Sequence, residues 1–573
     1  MFDSDPFKGK TWAVTGAIPG MSRREAFEAL KERGAKPTKS VSSKTDVLVS
    51  SGYTPGEHRW LSNKEIKARQ NNIPIINEEQ FLALLRGESL ETVEELAPTP
   101  KPKETVGTTD ALVGFREIVH DEPTGDTWRR ICELLDKCTA DDLPLVVDYL
   151  EGHLESWPIT YDVRHSRYYR EEALGLPVVW RREMFQGANS PKLRLVRVAN
   201  FHGAQMTGQV GLKVLGCDQL NNARLIDLGR NKLSGAFFKA LRGAEHMARL
   251  THVSLRDSTL SAGACKGLVG DSTWTATALD CSRASCKKDG LRRLLSSPCW
   301  GSLTELYLDN TSSYGSDDRE IAQALADAPH ISALERLNLS YNRDMSDASF
   351  EALFGSEQLR GLVELRLNEC ELTNAQITSL AGATHLSHLR ALHLSDERRT
   401  NAASQAPLIR APHLEGLEEL TMNGSGGALE ALAASHVRPR DLAVARGLTE
   451  DALQALLDSD VLRDVTRLRL TWPHDDAREA NNALSCRVLA HPAMRGVTSL
   501  QLNNAFFTDD HLNALLNADH LGELTHLGLS SPYGQTDFVS KKLARAVVKA
   551  PHLTEKLRDG LKRALREVLK STG

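Results

Sequence analysis

The chain has 573 residues, 41% of them hydrophobic and 25% charged, with a formal net charge of −5. That length exceeds one ordinary core and predicts several domains or a repeat array in a soluble protein, and the small net charge excludes a global field for nucleic acid, so any such contact must come from a local patch. No secretory-type N-terminus and no apolar run of about 18 residues occurs, which predicts a cytoplasmic protein with no membrane partner, and the nine cysteines include no CxxC pair, which argues against a disulfide framework or a zinc ribbon.

In residues 1–90 the apolar runs TWAV, DVLV and IPII alternate with helical segments, the pattern of a small α/β unit with a parallel sheet. Residues 15–25, TGAIPGMSRRE, pose a conflict. Ser22 and Glu25 form the capping box of a helix start, so Arg23 and Arg24 fall in the first turn, where the helix dipole disfavours cations. Ser62 and Glu65 form a second box with Lys64 in its first turn. The third helix obeys the rule, with Asn77 as cap and Glu78 and Glu79 behind it. If the two helices with cationic first turns converge, their free N–H groups, the Thr15 hydroxyl and the Gly16 amide make an anion site, and a bound phosphate removes the conflict.

The ordered features strand-Thr-Gly, MSRREA, the Gly34 turn, SVSSKTDVLV and IPIINEEQF resemble a BRCT domain over residues 7–85, in the subtype of bacterial NAD-dependent DNA ligases and the replication factor C large subunit. In that family a Ser/Thr-Gly pair and a helix-2 lysine bind phosphate, and a helix-1 arginine joins them in members that bind DNA ends. The resemblance therefore implies Thr15, Gly16, Arg23 and Lys64 as the phosphate and DNA site, with a DNA 5′-phosphate end or nick as partner. A phosphopeptide partner is the alternative, and a tight turn flanked by solvated charges is the bland reading. The chain departs from the ligase pattern at SSGYTPGEHRWLSN, where Tyr53, His58, Arg59 and Trp60 enlarge the rim, and Phe81 stands where many BRCT domains have tryptophan.

Residues 91–110 carry three prolines and little that packs, the composition of a semi-rigid linker. Residues 111–190 show helical spacing in DTWRRICELLDKC and LPLVVDYLEGHLESW. From Leu193 to about 539 an L-x-x-L-x-L core recurs about 13 times, clearest in LTELYL, LERLNL, LVELRL, LRALHL, VTSLQL and LTHLGL. The period of roughly 26 to 32 residues is near the leucine-rich-repeat range, with one short step of about 22 before Leu442. A helical stretch follows each strand, so the segment resembles the ribonuclease-inhibitor-like class, a horseshoe with a parallel sheet inside and helices outside. The family's post-strand asparagine matches at Asn231 and Asn342, with Cys370 as substitute, and its absence elsewhere predicts irregular turns. The helical segment 111–190 then serves as the N-terminal cap that a solenoid needs.

Residues 540–573 hold ten Lys or Arg against three Asp or Glu on an amphipathic pattern. This reads as a basic C-terminal capping helix, with a nucleic-acid or acidic-partner patch as the second reading. KKDG at residues 287–290 imitates a ligase motif but falls where other repeats start a helix, and GSGG at 424–427 lacks the third glycine of a dinucleotide loop. No enzymatic motif, cofactor or metal site is expected. Residues alternating with the core leucines face the concave side. There Tyr307, Arg336, Tyr341, Arg366, Arg467, Arg469 and Trp472 are the expected anchors for an unidentified protein, because Tyr, Trp and Arg are the usual anchor types. The sequence thus predicts a non-enzymatic adaptor.

Overall fold

The computed structural model describes residues 6–15, 21, 23–38, 41–42, 45–50, 64, 68, 73–86, 108–159, 173–270, 276–286, 290–311, 319–343, 345–395, 405–424, 427–472, 478–505, 508–530 and 539–570. The chain divides into two compact units at Val106 and Gly107.

In the first unit, β1 (Thr11–Thr15), β2 (Lys36–Thr38), β3 (Val47–Ser50) and β4 (Ile75–Ile76) form a parallel sheet in the order β2-β1-β3-β4. Both faces of a parallel sheet are covered, so its strands read as unbroken apolar runs. Trp12, Val14, Val47 and Val49 pack with α1 (Arg23–Glu32) and α2 (Glu78–Arg86) through Ala26, Leu30, Phe81 and Leu84, whereas Ala13, Leu48 and Ile75 pack with Val41 and Ala68 on the other side. Trp12 lies between Phe7 and Phe81, with ring centroids 5.0 and 6.0 Å away. Gly34 closes α1 in the left-handed conformation (φ 81°), which its missing Cβ permits. Asn77 caps α2 as expected, and Gln80 returns the bond to the Asn77 backbone, at 2.9 and 3.0 Å.

The second unit opens with α3 (Thr108–Ile118), α4 (Gly125–Leu135), α5 (Leu143–Leu154) and α6 (Val178–Phe185). The expected linker ends earlier than 110, because the polar run Thr108, Thr109, Asp110 serves as a helix start, where such residues are favoured; residues 91–107 lie outside the described residues. Trp128, Leu135, Val146, Leu150, Leu154 and Trp180 fill the core of this helical segment. It is fastened to the first repeat by charge. Arg194 pairs with Asp148 and Glu151 of α5, and the buried Lys192 ammonium sits 3.0 Å from both Asp136 and Glu183, over the Trp180 ring.

The repeat strands follow: β5 (Val198–Asn200), β6 (Leu225–Asp227), β7 (His252–Ser254), β8 (Thr259–Leu260), β9 (Ala278–Asp280), β10 (Ser285–Cys286) and β11 (Glu305–Tyr307). Beyond them come β12 (Arg336–Asn338), β13 (Glu364–Arg366), β14 (Ala391–His393), β15 (Glu419–Met422), β16 (Asp441–Val444), β17 (Arg467–Thr471), β18 (Ser499–Asn503) and β19 (His526–Ser530). All but β8 and β10, which pair with each other, join one 13-stranded parallel sheet in chain order. The register sets Leu279, Leu306, Leu337, Leu365, Leu392, Leu420, Leu442, Leu468 and Leu500 side by side, all buried. Helices return the chain, and their starts repeat as well: Thr207, Ser234, Ser261, Ser346, Thr373 and Thr449 each accept a bond from the backbone N–H three residues on. The result is the α/β architecture of leucine-rich-repeat proteins.

In the first seven repeats the turns are regular, contrary to the sequence expectation, whereas at Gly424, Arg446 and Trp472 the equivalent residue is not left-handed. Four residues beyond the central strand residue, Gly203, Arg230, Asp257, Arg283, Asn310, Tyr341 and Glu369 are all left-handed in seven successive repeats, as is Asn504, four beyond the buried Leu500. Asparagine stitches some of these turns: Asn231 donates to the carbonyls of Phe201, Leu228 and Gly229, and Asn342 to those of Leu308 and Leu339. Elsewhere other donors reach the same kind of acceptor. The Cys370 thiol donates to Leu339, and the Gln405 amide donates to Leu394. The turn is a backbone feature that several side chains satisfy.

At the C-terminal end the single basic helix expected from sequence is three: Lys541–Val547, Glu555–Ala564 and Arg566–Lys570. Pro551, with no N–H to donate, interrupts the run after the first.

Candidate phosphate site and protein-binding face

In the first unit β1 lies between β2 and β3, so the chain leaves β1 toward one side of the sheet and later returns on the other. At such a switch point the carboxyl ends of the strands border a crevice that suits ligands. Thr15 ends β1 there, in register with Ser50 at the end of β3. The half-buried Lys64 is helical, and its ammonium donates to the Val14 carbonyl at 3.0 Å. That bond places a cation one residue from Thr15. Two of the expected phosphate residues, Thr15 and Lys64, are therefore brought together. Arg23 is the first residue of α1, and nothing of its side chain is described; Gly16 and the rim residues Tyr53, His58, Arg59 and Trp60 lie outside the described residues. Ser50, which sequence reading did not single out, joins the site through strand register, a relation that only the sheet pairing reveals.

In the second unit the seven expected anchors behave differently. Across β11, β12 and β13, Glu305, Arg336 and Glu364 are in register, and Arg336 bridges the two carboxylates. Tyr307 donates its hydroxyl to Glu305 at 2.7 Å, and Arg366 pairs with Glu364. Burial and the neighbouring Glu305 charge push the Tyr307 phenol upward, so it stays a donor. Tyr307, Arg336 and Arg366 thus form one internally neutralised network. Arg467 reaches Asp441 at 2.9 Å and Glu419 at 3.7 Å, and Arg469 donates to Gln501 at 3.4 Å.

Tyr341 is 44% exposed, whereas Trp472 is 1% exposed and belongs to the core. Trp472 is therefore withdrawn as a binding anchor. Like Tyr341 after Leu337, it lies four residues beyond the buried leucine of its strand, Leu468, but it is not among the left-handed residues, and its indole is enclosed.

Of the two motifs set aside, Gly290 opens the helix Gly290–Leu295, and Gly427 is the left-handed N-cap of the helix Ala428–Ala433; residues 287–289 and 425–426 lie outside the described residues. Among the described residues no group of three His, Cys, Asp or Glu side chains is placed to hold a metal ion, and no helix is long and apolar enough to cross a membrane.

The β2-β1-β3-β4 sheet with its helices is a BRCT domain: residues 2–85 match the BRCA1 C Terminus (BRCT) domain. The relatives are more specific. This part of the chain is 42% identical over 87 residues to a DNA ligase of Thermoanaerobacter sp. (strain X514), covering 15% of this chain and 12% of the ligase. It is 46% identical over 78 residues to the DNA ligase of Desulforamulus reducens, covering 14% of this chain and 11% of the ligase. The chain thus spans only about an eighth of the length of these ligases. Among solved structures, that of the yeast Rad7 and Elc1 complex aligns over 78% of this chain and 92% of that chain at 14% identity with a TM-score of 0.37. An internalin from Listeria monocytogenes aligns over 61% of this chain and 87% of that chain at 13% identity with a TM-score of 0.32.

Proposed function

We propose that this chain is a non-enzymatic adaptor. Its BRCT domain recognises a DNA 5′-phosphate, at an end or a nick, and the open face of its leucine-rich-repeat sheet holds a protein. The observation that carries the first half is the Lys64 ammonium, tied to the Val14 carbonyl beside Thr15 at the switch point of the sheet. A fixed cation beside a hydroxyl and a helix start is what a terminal phosphate needs. Kinship with the BRCT domain of DNA ligases favours DNA over a phosphopeptide as the source of that phosphate.

For the second half, Tyr341 is the aromatic side chain that stands out from the sheet rim, held in a left-handed conformation that bulky residues rarely adopt. Arg336 on β12 and Arg467 and Arg469 on β17 are exposed polar contacts on the sheet itself.

Titration of the full chain with duplexes differing only in a 5′-phosphate or 5′-hydroxyl tests the phosphate reading, and a phosphoserine peptide in parallel tests the alternative source. Incubation with labelled ATP or NAD tests the non-enzymatic reading. A covalently labelled chain would overturn it.

A further inference from the structure

We infer that the C-terminal helices form a second nucleic-acid contact, one that grips the duplex backbone without regard to its ends. Residues 540–573 carry ten Lys or Arg against three Asp or Glu, a net of +7, while the rest of the chain carries 60 against 72, a net of −12. A cationic segment on an acidic chain is a local field of the kind a polyanion meets.

The structure shows how that charge is displayed. In the helix Lys541–Val547 the buried side chains are Ala544 and Val547, and it packs against the helix Asp509–Leu516, which follows β18. At about 100° per residue, Lys542 and Arg545 fall within an arc of roughly 60° on the opposite side, and Lys549 follows two residues beyond the helix end. All three are exposed. The helix Glu555–Ala564 buries Leu557 and Leu561 and packs against β19. Lys556, Lys562, Arg563 and Arg566 are exposed around it, with Lys562 paired to Asp559 at 2.8 Å.

The segment therefore does two things with two faces. Its apolar face closes the end of the sheet, and its basic face is presented to solvent.

Three features select a nucleic-acid backbone as the occupant. A membrane-surface helix leaves its apolar face available to lipid, but here Leu557, Leu561 and Leu565 are at most 3% exposed against the protein. Protein interfaces set Arg beside aromatic anchors in a desolvated centre, and among the described residues none of the exposed large hydrophobic side chains lies beyond Val363 to accompany the arginines of this segment. What remains is a row of long cationic side chains, the chemistry that neutralises successive phosphates.

The test is salt-dependent binding of the full chain to a blunt duplex with 5′-hydroxyl ends, so that the end-phosphate reading plays no part. The patch variant carries Lys542→Glu, Arg545→Glu and Lys549→Glu. A control with the same charge change carries Lys213→Glu, Lys239→Glu and Lys266→Glu on the helices of early repeats. We expect the patch variant to lose at least about tenfold in affinity at low salt, and its plot of log K against log salt to be shallower by about 2 to 3. The control should keep the wild-type slope, since none of its three residues lies in residues 540–573.

Equal slopes for all three proteins would overturn the inference. So would an unchanged DNA slope in a patch variant that has lost binding to phosphatidylserine-containing vesicles, because the patch would then serve a membrane. If the charge reversals lower the melting temperature, the Lys→Gln and Arg→Gln set at the same positions gives the same reading with less repulsion. Loss of the 5′-phosphate preference alone leaves this inference standing, and loss of the salt slope alone leaves the BRCT reading standing.

Discussion

Tyr341 and Trp472 each lie four residues beyond the buried leucine of their strand, Leu337 and Leu468, yet Tyr341 is 44% exposed and Trp472 1% exposed. One place in the repeat thus supplies a surface aromatic in one copy and a core aromatic in another. Trp472→Ala should cost about 3 to 5 kcal/mol, the usual penalty for emptying a large buried aromatic site. Tyr341→Gly should melt no lower than the wild type, because glycine relieves a left-handed φ of 66°. Thermal denaturation of the two variants checks both, and an equal loss in each would contradict the assignment of Tyr341 to the binding face.

That pair also marks how far sequence reading reaches. The leucine spacing announces thirteen strands because the buried row has a fixed period, and each Leu is visible as a letter. The turn that follows has no letter of its own. Arg230, Asp257, Arg283 and Glu369 adopt a conformation usually left to glycine or asparagine, so in these repeats varied residues make one regular turn. In the BRCT domain the order of motifs was legible, whereas the bond from Lys64 to Val14 joins residues 50 positions apart and emerges only from folding. Removing the Lys64 side chain forfeits this tie to the sheet, so no stabilisation of the unliganded domain is predicted.

His511 makes stability depend on pH. It is buried at the start of the helix Asp509–Leu516, within 2.8 Å of the Ser485 and Thr508 hydroxyls, and burial lowers its pKa from 6.5 to about 4 despite the nearby Asp510. The unfolded chain therefore takes up the proton first. The stabilisation is complete above pH 6.5 and is lost as pH falls toward 4. The full effect is on the order of 3 kcal/mol at about 1.4 kcal/mol per pKa unit. Urea denaturation at pH 7 and pH 5 should show a steeper loss in the wild type than in His511→Gln, which keeps the capping role without titrating. Parallel pH profiles would remove His511 as the cause.

Helix packing in the second and third repeats depends on absent side chains. A Cβ on Gly267 would lie 2.8 Å from the Cα of Gly235 on the preceding helix, a backbone atom that cannot step aside. Gly267→Ala should destabilise by about 1 to 3 kcal/mol. Gly152, inside α5, has open space where a methyl group would stand, with no atom within 4 Å, so Gly152→Ala should stabilise by up to about 1 kcal/mol through helix propensity alone. Opposite shifts in melting temperature are the expected result.

The measurement that bears most directly on the adaptor reading is competition between two duplexes, one with a recessed 5′-phosphate and one with a 5′-hydroxyl, for the wild type, Lys64→Ala and Arg23→Ala. Each charge-assisted hydrogen bond to the phosphate is worth roughly 1.5 to 3 kcal/mol, or about 10- to 100-fold in affinity. The wild type should prefer the phosphate end by at least about tenfold, and the preference should vanish in either variant while both fold normally. Equal affinity of the wild type for the two ends, with a phosphoserine peptide bound instead through Lys64, would contradict DNA-end recognition and make the chain a phosphopeptide scaffold.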